Sequence, residues 1–397
     1  MATTGDNTEA VNLNRAAMRA MAAGDLAGAQ STLVEAVQRD RSNTSVWLKL
    51  AVVRRQLGDT DGAFESLREV LTLDSRNFQA LLMSAAMLER LGQMQPAAVA
   101  YGRALAQVPP DQYLDAPTAQ AVAHARELYT QYLTEMNNFV HAQVADARGQ
   151  CTATERRNVD SFIATSLRIR PRYRQEPLEY FYPGLPAIEF YEREEFPWLR
   201  DFEAATDAIR QDLLQIVRDD AAGFTPYIHY PEHAPLDQWR ELNHSPRWAA
   251  FHFFHQGNPI EERWRRASHT VKALARLPQP EVPLRSPAAL FSQLQPKTRI
   301  PPHTGVANFR LLVHLPLILP PGCGFRVGGE TREWRPGEAW VFDDTIEHEA
   351  WNDSDQTRII LICDIWSPRL SPEERTAIAR VIAATDAFNG TDPGAHV

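Results

Sequence analysis

Small and apolar residues in the first quarter of the chain recur at a helical spacing, and the whole pattern repeats every 34 residues. Gly24, Gly58 and Gly92 stand at this interval, each between two stretches in which apolar residues return every three or four positions. The stretch SVWLKLAVVRRQL precedes Gly58, and GAFESLREVLTL follows it. The pattern predicts a series of helix pairs, each pair joined by a glycine turn.

Further columns of residues keep the same phase. They are Ala29, Ala63 and Ala97; Ala17, Ala51 and Ala85; Leu33, Leu67 and Tyr101; and Ala36, Val70 and Ala104. A 34-residue period with small residues where paired helices approach closely is typical of tetratricopeptide (TPR) repeats. We therefore predict an all-α TPR solenoid over residues 10–110. Its concave surface either holds a peptide or partner protein, or the array is a dimerisation or stabilising arm.

Residues 111–177 connect this repeat to the rest of the chain. The prolines of VPPDQYLDAP interrupt the repeat, and the next stretch, TAQAVAHARELYTQYLTEMNNFVHAQVADA, is again helically periodic. This helix either caps the solenoid or links it onward. The prolines and aromatics of RIRPRYRQEPLEYFYPGLP then end the helical region. We predict a helical linker or cap over this segment.

From residue 178 the pattern changes to short strand-like runs separated by Pro and Gly. These runs are WAAFHFFHQG, AALFSQLQP, FRLLVHLPLIL, GFRVGG, EAWVFDD and RIILICDIW. They predict an antiparallel sandwich or a jelly-roll, cupin-like barrel over residues 178–368. One helix is expected at FPWLRDFEAATDAIRQDLLQIVRDD, and a C-terminal helix and tail at 369–397, where SPEERTAIARVIAATDAFNG opens with a helix-start signal. The fold class is thus α+β multidomain, an N-terminal solenoid followed by a β-rich domain.

Composition limits the cellular compartment and the classes of binding partner that the sequence allows. A chain of 397 residues is long enough for two domains, and its net charge of −9 argues against general binding to nucleic acid or anionic membranes. We find neither a secretory signal nor the uncharged apolar run of about 20 residues that a membrane span requires. Cys151, Cys323 and Cys363 are scattered, so buried thiols are expected rather than disulfides or a zinc site. These features predict a cytoplasmic protein.

Two histidines lie beside predicted strands. His303 follows the proline-rich turn RIPPH and precedes the strand FRLLVHL, and His348 follows the strand EAWVFDD in a short acidic turn. Loops at strand ends converge at the open end of a jelly roll, where a ligand enters. Two histidines at strand ends are more often structural than metal-binding when nothing else supports a metal.

Arg358 favours a ligand-binding role for this region. It lies ten residues after His348, at the start of the apolar strand RIILICDIW. A buried guanidinium is unfavourable unless it meets an anion. The distal carboxylate of 2-oxoglutarate would be such an anion, held by two parallel hydrogen bonds. The alternative is a salt bridge to an internal acid such as Asp364.

The segment from His303 to Trp366 resembles the catalytic core of the aspartyl/asparaginyl β-hydroxylases. The resemblance rests on the order HTG, N-x-R, H-L, G-E-T-R-x-W, F-D-D, E-H-E-x-W-N and R…D-I-W, and it extends more weakly back to residue 178. That family also places TPR repeats before the catalytic domain. The resemblance implies a double-stranded β-helix that binds Fe(II), 2-oxoglutarate and O₂ and hydroxylates an unactivated carbon.

The resemblance also implies roles for single residues. His303 and His348 would be the iron ligands and the catalytic centre, with Gly305 where most such oxygenases carry a carboxylate ligand. We expect nearby acids to order the loop or to support the imidazoles instead of filling that place. These acids are Asp343, Asp344, Glu347 and Glu349.

For the cosubstrate, the resemblance assigns the distal carboxylate of 2-oxoglutarate to Arg358 and Ser292, and its metal-bound end to His314. Arg310 would recognise the acidic or amide side chain of the substrate. The expected activity is hydroxylation of the β-carbon of an Asp- or Asn-type residue in a peptide or protein, which the TPR array would help to hold.

The chain departs from the family at one site position, where Leu312 replaces a second arginine two residues after Arg310. The cysteine-rich insertion of secretory-pathway members is also absent, and RRASHTVKALARLP occupies that region. Two alternatives therefore stay open. One is a hydroxylase of a lipid or small molecule on the same site, and the other is a TPR adaptor with a catalytically weak barrel.

Overall fold

The computed structural model describes residues 4–110, 113–231 and 233–390, and the chain divides between Ile169 and Arg170 into two units. Residues 111–112, at the start of the predicted linker, and 391–397, the predicted tail, lie outside the described residues. None of the described helices is both long and apolar enough to cross a membrane.

The first unit is all α and confirms the predicted repeat. Its helices are α1 (Thr4–Ala22), α2 (Leu26–Arg39), α3 (Thr44–Gln56), α4 (Thr60–Leu73), α5 (Phe78–Arg90), α6 (Met94–Leu105), α7 (Ala116–Gln143), α8 (Ala145–Gly149) and α9 (Ala153–Ser166). Gly24, Gly58 and Gly92 join the helices of each pair at φ angles of 79°, 81° and 72°. That left-handed conformation favours glycine, which is why the turns recur with the period.

The repeated columns are the buried positions of the solenoid. Ala29, Ala63 and Ala97 are fully buried, and the other columns are at most 2% exposed. Helix α7 packs against the last pair, where Glu89 accepts from the Tyr101 hydroxyl (2.6 Å) and contacts His124 Nε2 (2.8 Å). The helix predicted after the repeat therefore caps the solenoid.

The second unit is built from antiparallel strands, as the short apolar runs predict. Its strands are β1 (Thr225–Pro226), β2 (Trp248–His252), β3 (Phe254–His255), β4 (Asn258–Pro259), β5 (Ala289–Leu294), β6 (Thr298–His303), β7 (Arg310–Ile318), β8 (Cys323–Val327), β9 (Glu330–Arg332), β10 (Trp340–Phe342), β11 (His348–Asn352) and β12 (Arg358–Trp366). The larger sheet has the order β1-β2-β5-β12-β7-β10, and the smaller sheet has the order β6-β11-β8-β9. The finer assignment of a double-stranded β-helix stays a prediction.

Two apolar cores lie on opposite faces of the larger sheet. Successive side chains of β12 point to opposite faces of this sheet. Leu361 and Ile365 belong to the core that the sheet forms with the helices, whereas Ile360 belongs to the core that it forms with the smaller sheet. The helices of this unit are α10 (Leu199–Ala204), α11 (Thr206–Asp219), α12 (Glu261–Arg266), α13 (Ser268–Leu274) and α14 (Pro372–Asn389). The single helix predicted near residue 200 is thus two helices. The C-terminal helix is confirmed, and Ile378 and Ile382 pack it onto this unit.

The predicted linker is wrong at its end, because residues 170–177 belong to the second unit. This segment contains no helix and is held by hydrogen bonds to the turn after β10. Gln175 Nε2 donates to Asp343 Oδ2 (2.6 Å), and the backbone N–H of Glu176 donates to the Thr345 carbonyl (2.8 Å). Side-chain and backbone bonds to distant residues, which local patterns do not reveal, set this boundary.

Acid is expected to destabilise the second unit through His252, at the end of β2. Burial and the nearby Arg263 lower the pKa of this imidazole to about 4 from 6.5. Its contribution to stability is therefore complete above pH 6.5 and is lost as the pH falls toward 4. The loss is on the order of 3 kcal/mol, since the pKa differs by about 2.5 between the unfolded and folded chain and one pKa unit corresponds to about 1.4 kcal/mol. Urea unfolding across this range should show a shallower pH dependence for His252→Gln, and an unchanged dependence contradicts the assignment.

Candidate active site

Two histidines face each other where β6 ends and β11 begins. His303 is the last residue of β6, His348 is the first of β11, and the antiparallel register pairs them directly. Their ring centroids are 4.1 Å apart. The predicted proline-rich turn before His303 is wrong, because Pro301 and Pro302 lie within β6. The prolines are tolerated there because β6 is an edge strand, where an N–H need not join the ladder.

Backbone carbonyls orient both imidazoles. His303 Nδ1 lies 2.8 Å from the carbonyl oxygen of Pro301, and His348 Nδ1 lies 3.1 Å from that of Ile346. Since a carbonyl oxygen only accepts, both Nδ1 atoms carry the proton and both Nε2 atoms keep a lone pair. Burial lowers the pKa of His303 to about 3 and that of His348 to about 4, so both rings are neutral near pH 7. This is the form that binds a divalent metal ion.

The position two residues after His303 has no side chain, and a carboxylate from the turn before β11 fills the space. The Gly305 N–H donates to the Asp344 carbonyl oxygen (2.6 Å), and a Cβ added at Gly305 would lie 2.0 Å from Asp344 Oδ2. Burial raises the pKa of the Asp344 carboxyl. Among the described residues, no group of three or more His, Cys, Asp or Glu side chains is arranged to hold a metal.

Replacing Gly305 by alanine is expected to lower the free energy of unfolding by about 1–3 kcal/mol, the usual effect of overpacking a buried site. The added methyl group would displace the buried Asp344 carboxylate from its place beside Arg310. Gly149→Ala is the control, because a Cβ there meets nothing within 4 Å. Chemical denaturation measures both variants, and equal stability of the Gly305 variant and the wild type would contradict the packing described.

The remaining acids of this turn are held by neighbouring side chains. Glu347 accepts from Arg326 at 2.9 Å, and Glu349 accepts from the Nε of the same guanidinium. Asp343 accepts from the backbone N–H and the hydroxyl of Thr345, and burial raises its pKa to about 6. These contacts order the turn between β10 and β11.

Arg358 is the largest of the fully buried side chains, with 1% of its surface exposed. Burial lowers the pKa of its guanidinium to about 10, and its Nε has no hydrogen-bond partner. Among the described residues no carboxylate pairs with it, so the alternative salt bridge to Asp364 is wrong. Asp364 lies six residues further along β12, about 20 Å away, and accepts instead from Ser286 (2.7 Å) and the Ala288 N–H (2.8 Å).

Strand register places the other predicted cosubstrate residues on the face of the sheet that carries Arg358. Ser292 pairs with Ile360, and His314 pairs with Ile362, which follow Arg358 by two and four residues along β12. The Ser292 Oγ accepts from the Trp248 indole at 3.2 Å, so its own proton is available to a ligand. His314 is buried, and its Nδ1 has no partner. All three side chains therefore face the core between the two sheets.

Arg310, predicted to recognise the substrate, lies at the start of β7 with its guanidinium 3.3 Å from Asp344 Oδ2. No sequence pattern indicated this partner, because Arg310 lies on β7 and Asp344 lies in the turn before β11. Leu312 follows on the same face of β7 and packs, partly buried, against the core between the sheets. The second cationic position of the family is therefore apolar in this chain.

Three tryptophans around the site were missed as functional residues. Trp239 lies edge-on to His303 at 5.2 Å between ring centroids, and Trp248 lies 6.2 Å from the same ring. Trp334 lies under Arg358, whose guanidinium carbon is 5.0 Å from the ring centre. Only the G-E-T-R-x-W motif drew attention to Trp334, and no sequence signal pointed to the other two.

Comparison with known proteins places the second unit in context. The sequence model described as aspartyl/asparaginyl β-hydroxylase matches residues 203–368. Human aspartyl/asparaginyl β-hydroxylase is 34% identical over 147 residues, which cover 37% of this chain and 19% of that protein. The ornithine lipid ester-linked acyl 2-hydroxylase of Rhizobium tropici is 29% identical over 199 residues, 49% of this chain and 66% of that protein.

The chain thus spans about a fifth of the human relative and just under two thirds of the bacterial one. Among solved structures, the first TPR domain of Spaghetti is similar with 16% identity and a TM-score of 0.28, over 32% of this chain and 97% of that domain. The helix pairs of the first unit identify the TPR fold independently of this likeness.

Proposed function

We propose, from the premise that residues 203–368 form a domain of the aspartyl/asparaginyl β-hydroxylase family, that this chain is an Fe(II)- and 2-oxoglutarate-dependent hydroxylase of an unactivated carbon. The observation that carries the proposal is a buried arginine, without a carboxylate partner among the described residues, in the same core as two neutral imidazoles, of which His348 is buried and His303 is half-buried. The proposed target is the β-carbon of an Asp- or Asn-type residue in a peptide or protein.

The residues present fit the groups that this reaction needs. His303 and His348 would hold the iron through Nε2, because their Nδ1 atoms are engaged by carbonyls. Arg358 and Ser292 would bind the distal carboxylate of 2-oxoglutarate, and His314 its other end. Buried nitrogens without partners on Arg358 and His314 support a ligand between the sheets. When bound, iron, 2-oxoglutarate and O₂ supply the oxidant that removes hydrogen from carbon.

The chain itself supplies oriented and neutral ligands. The carbonyls of Pro301 and Ile346 fix the imidazole planes before any metal arrives. Burial keeps both rings unprotonated, so metal binding near pH 7 displaces no proton from Nε2. In this proposal Arg310 recognises the acidic or amide group of the substrate, which must compete with Asp344 for the guanidinium.

The TPR array is proposed to hold the peptide or protein that carries the target residue. A depression of about 500 Å³ lies on the surface of the first unit between α5, α6 and α7. It is lined mainly by apolar and uncharged residues, with one cation: Leu88, Gln95, Pro96, Val99, Ala100, Arg103 and Tyr132. Such a surface suits a peptide with apolar side chains and an acidic group.

A second candidate is a hydroxylase of an acyl chain. The likeness to the bacterial acyl 2-hydroxylase favours it, and so does the apolar Leu312 beside Arg310, because an acyl carbon needs no second cation. The third reading, an adaptor without activity, predicts neither iron binding nor 2-oxoglutarate turnover.

The test is to incubate the full chain with Fe(II), 2-oxoglutarate and O₂, and to measure succinate with and without host-cell lysate. A peptide that gains one oxygen by mass spectrometry supports the proposed substrate class. Oxidation confined to the lipid extract supports the second candidate. Absence of both iron and succinate in the correctly folded chain supports the adaptor and contradicts the proposal.

A further inference from the structure

Trp334 lies in the loop between β9 and β10 and forms the ring surface under Arg358. Its six-per-cent exposure and the 5.0 Å between the ring centre and the guanidinium carbon show that both groups are buried in one place. A cation over the face of an indole is favourable, and desolvation strengthens that attraction. Trp334 therefore supports the side chain that the proposed function assigns to the cosubstrate.

The indole N–H of Trp334 is itself a buried donor without an acceptor. Neither Trp334 Nε1 nor Arg358 Nε has a hydrogen-bond partner among the described residues. Native proteins pair nearly all buried donors, because a donor removed from water without a replacement acceptor is unfavourable. Two such donors on residues in direct contact indicate that the acceptor comes from outside the chain.

The ring position does not depend on that acceptor. Trp334 stacks on Phe325 at 5.3 Å and 16° and on Trp340 at 5.4 Å and 18°. His314 lies 6.2 Å from the same indole, and its Nδ1 is a further buried nitrogen without a partner. The stack therefore holds the indole next to both residues that would touch the two ends of a diacid.

We propose that Trp334 closes the distal end of the diacid pocket and donates its indole N–H to the carboxylate that Arg358 binds. The inference rests on the proposed function, since the diacid is 2-oxoglutarate. It adds a specificity-determining donor that acts beside Arg358 and Ser292. A diacid longer by one methylene would have to displace the stacked ring.

The test measures binding without turnover, in the full chain loaded with Zn(II). Calorimetric titration with 2-oxoglutarate is expected to give a dissociation constant about 10- to 100-fold higher for Trp334→Phe, which keeps the ring and removes the N–H. Trp366→Phe is the matched control, because that residue is similarly buried but belongs to a different apolar cluster. Its dissociation constant for 2-oxoglutarate should lie within about threefold of the wild-type value, as expected for a neutral substitution.

A second measurement uses the wild type, so the inference does not depend on a variant that folds. In the chain labelled with ¹⁵N-tryptophan, which gives nine indole signals, the signal with the largest downfield shift on addition of 2-oxoglutarate should come from the indole that donates to it. That signal should be the one missing from Trp334→Phe. Failure of the wild type to bind 2-oxoglutarate overturns the proposed function. Binding by the wild type with equal affinity in Trp334→Phe, or with no indole shift, overturns the role of Trp334 alone.

Discussion

Alanine at either His303 or His348 is expected to abolish succinate formation from 2-oxoglutarate and to remove bound iron. The two rings lie 4.1 Å apart, and each presents one unprotonated Nε2. Each ring therefore supplies one of the two proposed ligand atoms, and loss of either ring leaves its position unfilled. Loss of residues that only orient metal ligands already lowers affinity or activity about 10- to 100-fold, so loss of a ligand should exceed that range. Metal analysis of the purified variants and a succinate assay measure the two effects.

His255→Ala is the control for these variants. His255 is exposed in the short ribbon of β3 and β4, whereas the paired rings lie on β6 and β11. It should keep both iron and turnover. Circular dichroism of each variant separates loss of a ligand from loss of the fold. Full turnover in the His303→Ala, His348→Ala double variant would contradict the proposed metal site.

Methionine at Arg358 is expected to weaken 2-oxoglutarate binding while leaving the fold at least as stable. The guanidinium is buried and has no carboxylate partner in the described part of the chain, so its removal relieves the unfavourable burial of a charge. Replacing buried charges by apolar side chains of similar volume often stabilises proteins by about 1–4 kcal/mol, and we expect a gain in that range. Loss of two charge-assisted hydrogen bonds should raise the dissociation constant about 100-fold or more.

Arg310→Met is the matched comparison, because Arg310 has the partner that Arg358 lacks. Its removal leaves the Asp344 carboxylate buried and unpaired, which typically destabilises a protein by about 3–5 kcal/mol. The midpoint temperature of thermal unfolding should therefore rise or stay unchanged for Arg358→Met and fall for Arg310→Met. Equal destabilisation by the two variants would show that Arg358 has a structural role, and unchanged 2-oxoglutarate affinity would remove it from the cosubstrate site.

The TPR solenoid could be predicted closely because its stabilising contacts are local and periodic. The glycines at residues 24, 58 and 92 adopt the left-handed turn in every repeat, and the repeated alanines are the buried ones. Each helix packs on its neighbours in sequence, so the order of residues carries the order of contacts. The segment at residues 170–177 follows no such rule, since Gln175 and Glu176 bond to Asp343 and Thr345, well over a hundred positions away.

Within the candidate site, the sequence predicted which side chains lie there, but part of their local structure and contacts was predicted wrongly. The segment RIPPH was expected as a turn and is an edge strand, and the alternative pairing of Arg358 with Asp364 does not occur. Asp344 was expected to order its loop or to support the imidazoles, and it fills the space beside Gly305 and contacts Arg310. These outcomes depend on cross-strand register, which the alternation of apolar residues along one strand does not contain.

By itself, the sequence determined the repeat, the β-rich second unit and the pair of histidines with a buried arginine, because periodicity and the burial of a charge are properties of residue order and type. The tertiary structure decided what those residues meet. It paired His303 with His348 across two strands, left Arg358 without an acid among the described residues, and placed Trp334 beneath it. Those contacts join strands and loops distant in sequence, so only the packing of the two sheets brings them together.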